Sequence, residues 1–270
     1  MTDIPTPLPR RAKLKPPTFQ TPRVVSALML REMSSTYGRS PGGYLWAILE
    51  PVGAIAFLSL GFSLLIRAPA LGTSFILFYA TGYLPFDLYG VLARKIGTSI
   101  NYSRALLAYP NVLWIDAIVA RFLLNVITSV TVTCIILTGI LAIVSTRTVI
   151  ELQPILIGMS AAAALGLGVG VMSCLLFGLL PVWQQVWGIV TRPLFLASGL
   201  FYIYEDLPQT AQNILWWNPL LHITGLVRTG FYPTYHPNYI SMTYCFGVAL
   251  LLIFFGLIFL RAYHKTILER

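Results

Sequence analysis

The sequence predicts an all-α polytopic membrane protein: six transmembrane helices, an N-terminal amphipathic interface helix, and an external re-entrant helix pair before the last span. Three observations predict it. Apolar residues make up 57% of the chain and charged residues 10%, against about 45–50% and about 25% in soluble domains. The apolar residues fall in long runs, near the ~20 residues that a helix needs to cross a bilayer. The net charge of +9 sits in tails and connections, and no basic face interleaved with aromatics lies outside the runs. Lipid headgroups and membrane orientation therefore account for the charge, and nucleic acid is not an expected partner.

Residues 1–22 carry Pro5, Pro7, Pro9, Pro16, Pro17 and Pro22 among Arg10, Arg11, Lys13 and Lys15. Proline at that density forbids regular helix, so a disordered basic tail is expected. It has no apolar core ahead of a small-residue cleavage site, so no removable signal peptide is expected. From Arg23 to Tyr37 the spacing predicts an amphipathic helix, with Val25, Leu28, Met29, Met33 and Tyr37 on one face and Arg31, Ser34 and Ser35 elsewhere. It is too short to span and is read as lying on the cytoplasmic surface.

Residues 44–66 form the first expected span, opened by Tyr44 and Trp46 as interface anchors. The others are 73–93, containing Pro85 and Asp87; 115–144, long enough to tilt or protrude; 155–180; 183–203, interrupted by Arg192-Pro193; and 239–260, followed by a cytoplasmic tail at 263–270. A basic polar loop, 94–111, separates the second and third spans. With both termini cytoplasmic, thirteen of the eighteen Lys and Arg residues lie inside, three (Arg67, Arg147 and Arg228) outside, and Arg121 and Arg192 within spans. That asymmetry fixes the expected orientation.

The fourth span carries a ladder of small residues: Gly158, Ala162, Gly166, Gly170, Cys174 and Gly178. Such a stripe lets backbones approach closely, within the subunit or across a dimer. Residues 204–238 are too apolar for a solvated loop. Asn218-Pro219 divides them into two short helical stretches, expected to fold back into the outer leaflet. Charges in lipid are costly and usually mark function. Glu50 and Asp116 lie near cytoplasmic span ends and are read as reaching water. Asp87 is read as lining a cavity. Arg192 either faces a pore, where it would attract an anionic substrate, or snorkels or pairs with a carboxylate such as Asp87.

No hydrolytic or transfer site is visible. His222, His236 and His264 lack carboxylate or Cys partners at ligand spacing, so no metal is expected, and Cys134, Cys174 and Cys245 read as packing residues. No GxxxxGK[ST] phosphate loop is present. If the protein does energised work, another chain supplies the ATP chemistry.

Four strings together carry a resemblance: LMLREMSSTYGRSPGGYLWAILEP (28–51), INYSRALLAYPNVLWIDAIVAR (100–121), LLPVWQQVWGIVTRPLFLASGLFY (179–202) and ILWWNPLLHITGLVRTGFYPTY (214–235). They resemble the membrane subunit of capsular polysaccharide ABC exporters, the KpsM-like branch of the ABC-2 permeases, over about residues 24–262. The resemblance implies the ABC-2, or type V exporter, fold across 23–262. It implies a permease that is not itself an enzyme, working as a homodimer with two copies of a cytoplasmic KpsT-like ABC ATPase. ATP and Mg would be bound by that partner, with no cofactor in this chain. It further implies a lipid-linked acidic polysaccharide, a periplasmic co-polymerase, an outer-membrane exporter and a Gram-negative inner membrane.

The implied interface helix, 23–37, brings Arg31, Glu32 and Tyr37 forward. The implied coupling loop brings Arg94, Asn101, Arg104, Leu106, Leu107, Tyr109 and Pro110. The re-entrant segment brings Trp216, Trp217, Asn218, Pro219 and Arg228. Sugar rings stack on aromatic faces, which makes Tyr79, Tyr83, Phe86, Tyr89, Trp187, Phe195, Phe201 and Tyr202 candidate channel liners beside Asp87 and Arg192. Each aromatic is alternatively a core or interface residue. An ABC-2 permease for O-antigen, teichoic acid or another substrate fits the same spans. A membrane-embedded glycan or lipid transferase would need an acid–base constellation that the sequence does not display.

Overall fold

A computed structural model of the chain describes residues 20–36, 42–109, 112–144 and 150–269. Among them the regular elements are helices: α1 (Gln20–Thr36), α2 (Tyr44–Leu65), α3 (Phe75–Gly97), α4 (Ser99–Leu107), α5 (Trp114–Ile143), α6 (Leu152–Leu179), α7 (Trp183–Ala197), α8 (Gln209–Leu215), α9 (Pro219–Thr229) and α10 (Met242–Glu269). A 3-10 turn occupies Tyr204–Asp206. Five stretches are long and apolar enough to cross a membrane: α2, α3 continued through α4, α5, α6 and α10. The expected span at 183–203 holds α7, which has 15 residues. At 1.5 Å per residue that is about 22 Å, short of a hydrocarbon core of about 30 Å.

α6 is the axis of the fold, and its small residues explain why. A Cβ at Gly166 would lie 2.9 Å from Leu92 Cβ and 3.0 Å from the Tyr89 carbonyl; at Gly170 it would lie 2.7 Å from Ile96 Cβ. α3 therefore rests directly on the α6 backbone. On another face Gly168 meets the Ala249 carbonyl of α10, and Gly178 meets Ile267. The expected ladder thus packs inside the subunit. The core between α3, α6 and α10 is built from Leu92, Ile96, Ala162, Leu165, Ala249 and Leu260. α2 and α7 are peripheral. α2 buries only Pro51, Ile55 and Ser59, and α7 buries no residue.

The helices share two ends. At the basic end, Arg104 Nη2 donates to the Leu268 carbonyl at 2.8 Å and Ile267 fills the notch at Gly178. At the opposite end, the Glu151 amide donates to the Gly230 carbonyl at 2.9 Å, and Tyr232 lies against Gly72, whose φ of +69° suits glycine.

Several expectations need correction. The tail does not reach residue 22, because α1 starts at Gln20. Pro22 lies in its first turn, where no intrahelical N–H is required. Residues 1–19, and Tyr37, Pro110 and Asn111, fall outside the described residues. The loop at 94–111 is mostly helix. α3 runs on to Gly97 and α4 follows after Thr98, because Ser99, Ile100 and Ser103 find a buried face there. The tail at 263–270 is helical through Glu269, since Ile267 packs on α6. Asp116 does not reach water. It is 2% exposed and its Oδ2 accepts from the Leu113 amide at 3.1 Å, closing the first turn of α5.

Candidate functional site

α2, α3 and α7 bound an open cleft of about 710 Å³. Tyr83, Phe86, Asp87 and Tyr89 of α3 line it, with Trp187, Arg192 and Phe195 of α7 and Glu50 of α2. The helical period puts residues 83, 86, 87 and 90 of α3 on one face. Residues 188, 191, 192 and 195 of α7 line the facing wall. Phe86 and Phe195 meet edge to face at 5.2 Å. Seven of the ten expected wall residues therefore share one cleft.

The other three do not line it. Tyr79 is 2% exposed and packs in an aromatic knot with Phe62, Phe78 and Phe201. Phe201 joins that knot to Phe195 at 5.4 Å. Tyr202 gives its carbonyl to Arg228. These residues close the cleft toward the α9 end.

The charges of the cleft balance. Glu50 and Asp87 face Arg94 and Arg192, and no ion pair within 4.0 Å joins Asp87 to Arg192 among the described residues. Arg94, expected on the coupling loop, belongs to this wall. A smaller cleft of about 300 Å³, bounded by α2, α3 and α5, shares Glu50, Asp87 and Arg94 and adds Lys95 and Asn125. An aromatic wall that carries charges of both signs can bind and guide a polar chain with apolar ring faces.

Beyond α7 the backbone is irregular from Ser198 to Ile203, and α9 satisfies it. Asn218 Nδ2 donates to the Ala197 carbonyl at 2.8 Å, and Thr224 Oγ1 to the Ser198 carbonyl at 2.8 Å. Arg228 gives Nη2 to Leu200 at 2.9 Å and Nη1 to Tyr202 at 2.8 Å, its guanidinium 4.1 Å from the Phe78 ring centroid. Such pairing is what non-helical backbone in an apolar setting requires. Asn218 also caps α9, accepting from the Leu220 amide at 3.1 Å, and Pro219 takes the first helical position. Trp216 stacks on Tyr244 at 5.3 Å, whereas Trp217 is exposed. Asn218→Asp keeps the cap oxygen and loses the donor to Ala197. We expect it to cost about 1 kcal/mol, and Asn218→Ala more, read as the thermal midpoint of the detergent-purified protein.

At the basic end the expected coupling residues separate. Asn101 and Arg104 border a notch with Gly178 and Gln184. Tyr109 is 64% exposed. Leu106 packs beneath α1 with Val25, Leu28 and Ala120, and Leu107 packs against the main core. α1 lays Val25, Leu28 and Glu32 inward, while Arg31 stays exposed, its guanidinium 5.6 Å from the Tyr102 ring centroid. Glu32 pairs with Arg121 of α5, Nε to Oε2, at 3.2 Å. The sequence alone places Arg121 within a span and gives it no partner. A lone Arg in an apolar run was the signal for a buried partner.

Residues 23–232 match the model of the ABC-2 type transporter family, and the chain belongs to that family. Among its relatives, the polysialic acid transport protein KpsM of Escherichia coli is 28% identical over 251 residues, covering 93% of this chain and 97% of the relative. The capsule polysaccharide export inner-membrane protein BexB of Haemophilus influenzae is 28% identical over 247 residues, 91% and 92% of the two chains. The corresponding protein CtrC of Neisseria meningitidis serogroup B is 26% identical over 246 residues, again 91% and 92%.

Proposed function

We propose that this chain is the transmembrane subunit of an ATP-driven exporter that threads a lipid-linked, acidic capsular polysaccharide out of the cytoplasm. The channel forms between two copies of the chain. The observation that carries this reading is the cleft: seven expected wall residues converge on one groove between α2, α3 and α7. α2 and α7 leave large apolar side chains such as Phe57, Leu64, Leu65 and Ile189 exposed, surface that lipid or a second copy would cover. A chain of α7 and the irregular segment after it makes the sixth crossing in this reading. Its support is the climb of residues 183–203 along α3, with Phe195 against Phe86 and Phe201 against Tyr79.

Both termini then lie in the cytoplasm of a Gram-negative cell, and the basic end receives two copies of a separate ABC ATPase, which bind ATP and Mg. A periplasmic co-polymerase and an outer-membrane exporter continue the path. The relatives named for capsule polysaccharide export favour a capsular substrate over O-antigen or teichoic acid.

The test is to co-purify the chain with its ATPase and measure surface polysaccharide in cells. Trp187→Ala with Phe195→Ala removes two stacking surfaces, each about 0.5–1.5 kcal/mol, and is expected to cut export about tenfold while the ATPase stays bound. Wild-type export by the double variant would remove the cleft from the polymer path.

A further inference from the structure

The basic end contains a buried ionic link that export by a simple groove does not need. Arg121 and Glu32 are both about 5% exposed in their side chains and lie 89 residues apart. The guanidinium does more than neutralise Glu32. Its Nη1 donates to the Lys95 carbonyl at 2.6 Å and to Thr98 Oγ1 at 2.9 Å. Lys95 lies in the last turn of α3, where carbonyls lack helical donors and the helix dipole is negative. The face of the guanidinium covers the Tyr102 ring of α4 at 4.0 Å, and the Tyr102 hydroxyl is hydrogen-bonded to Ser35 of α1. One side chain of α5 thus touches α1, the end of α3 and the start of α4.

Packing serves these elements unequally: Ile100 seats α4 in the main core. α1 rests on the bundle through a small apolar cluster of Val25, Leu28, Ala120 and Leu106. A planar, multidentate cation can fix three elements at once, which a methylene contact cannot. A buried pair contributes little net stability after desolvation, so geometric specificity is its better use.

We propose that Arg121 is a positioning residue. It locks α1, α4 and the break at Thr98 into one rigid platform, so that a push on α4 or α1 moves α3, and with it the wall of the cleft, as a unit. This rests on the reading that an ATPase docks at the basic end. The lock itself is a property of the permease alone.

The experiment places spin labels on exposed Ala27 of α1 and exposed Ala105 of α4, with Cys134, the exposed native cysteine, replaced by Ser. Distance distributions are recorded on the purified permease in nanodiscs. Polymer exported per ATP hydrolysed is measured on the complex. The wild type gives one narrow distribution. Arg121→Lys keeps the charge but cannot reach Glu32 and Lys95 O together. It widens the distribution and lowers the export-to-ATP ratio about tenfold. Glu32→Gln does the same. Tyr102→Leu leaves both charges paired, removes no buried ion, and lowers the ratio about threefold. It decides the matter even where the charge variants fail to accumulate. A narrow distribution and an unchanged ratio in Tyr102→Leu overturn the proposal, whether or not Arg121→Lys accumulates. A wild-type permease that binds no ATPase overturns the exporter reading instead, and leaves the distance measurement to judge the lock.

Discussion

Arg228→Leu is expected to leave little folded protein in the membrane. Arg228 is fully buried, and among the described residues no carboxylate pairs with it. Two effects oppose each other. Removing an unpaired buried cation relieves a desolvation cost of several kcal/mol. It also strips the donors from the Leu200 and Tyr202 carbonyls and the cation from the face of Phe78. In water the carbonyls would find new partners. Leu200 is fully buried and Tyr202 half-buried, and each carbonyl left unpaired there costs about 1–3 kcal/mol. The loss is larger because the cation's cost is already offset by three contacts that leucine cannot replace. Gly82 leaves no slack, since a Cβ there would lie 3.0 Å from Arg228 Nη2. The net destabilisation is about 2–4 kcal/mol, read as the monodisperse fraction after extraction and the thermal midpoint. Arg228→Lys, reaching one carbonyl, falls between. A leucine variant as stable as the wild type would mean that the segment after α7 holds itself.

Gly170→Leu is expected to be nearly as damaging. A Cβ at Gly170 already lies 2.7 Å from Ile96 Cβ and 3.2 Å from the Leu92 carbonyl. Backbone cannot yield as a side-chain tip can, so α3 must lift off α6. Overpacking of this kind costs about 1–3 kcal/mol or more, and here it displaces the helix that carries the cleft wall. Gly139→Leu is the control, because nothing lies within 4 Å of a Cβ at that position. We expect lost expression and export for position 170 and wild-type levels for position 139. Equal behaviour of the two would remove close α3–α6 packing as the basis of the core.

Five of the six expected spans were legible because hydropathy is a local property, readable run by run. The Asn218-Pro219 break was equally local, a cap followed by a proline at the first helical position. The spacing of small residues on α6 announced close packing, although not that α3 and α10 would be the partners. α4 was hidden because polar residues such as Asn101 and Arg104 suggested a loop, while its helix depends on Ser99 and Ile100 finding α6 across the chain. The shortness of α7 was hidden for the same reason. Its backbone can leave the helix at Ser198 because side chains of α9 donate to the carbonyls freed there. Of the candidate site, the aromatic wall came from the family resemblance and from the stacking of sugar rings on aromatic faces. The partner of Glu32 depended on a contact that no window of sequence contains.

The last turn of α10 has a practical corollary. Ile267 plugs the hollow over Gly178, and the Leu268 carbonyl receives Arg104. An epitope or fluorescent reporter fused there without a spacer would tug on a seated plug. Clipping the chain at residue 262 would uncork the hollow, and label-based assays of this protein would then report their own handle.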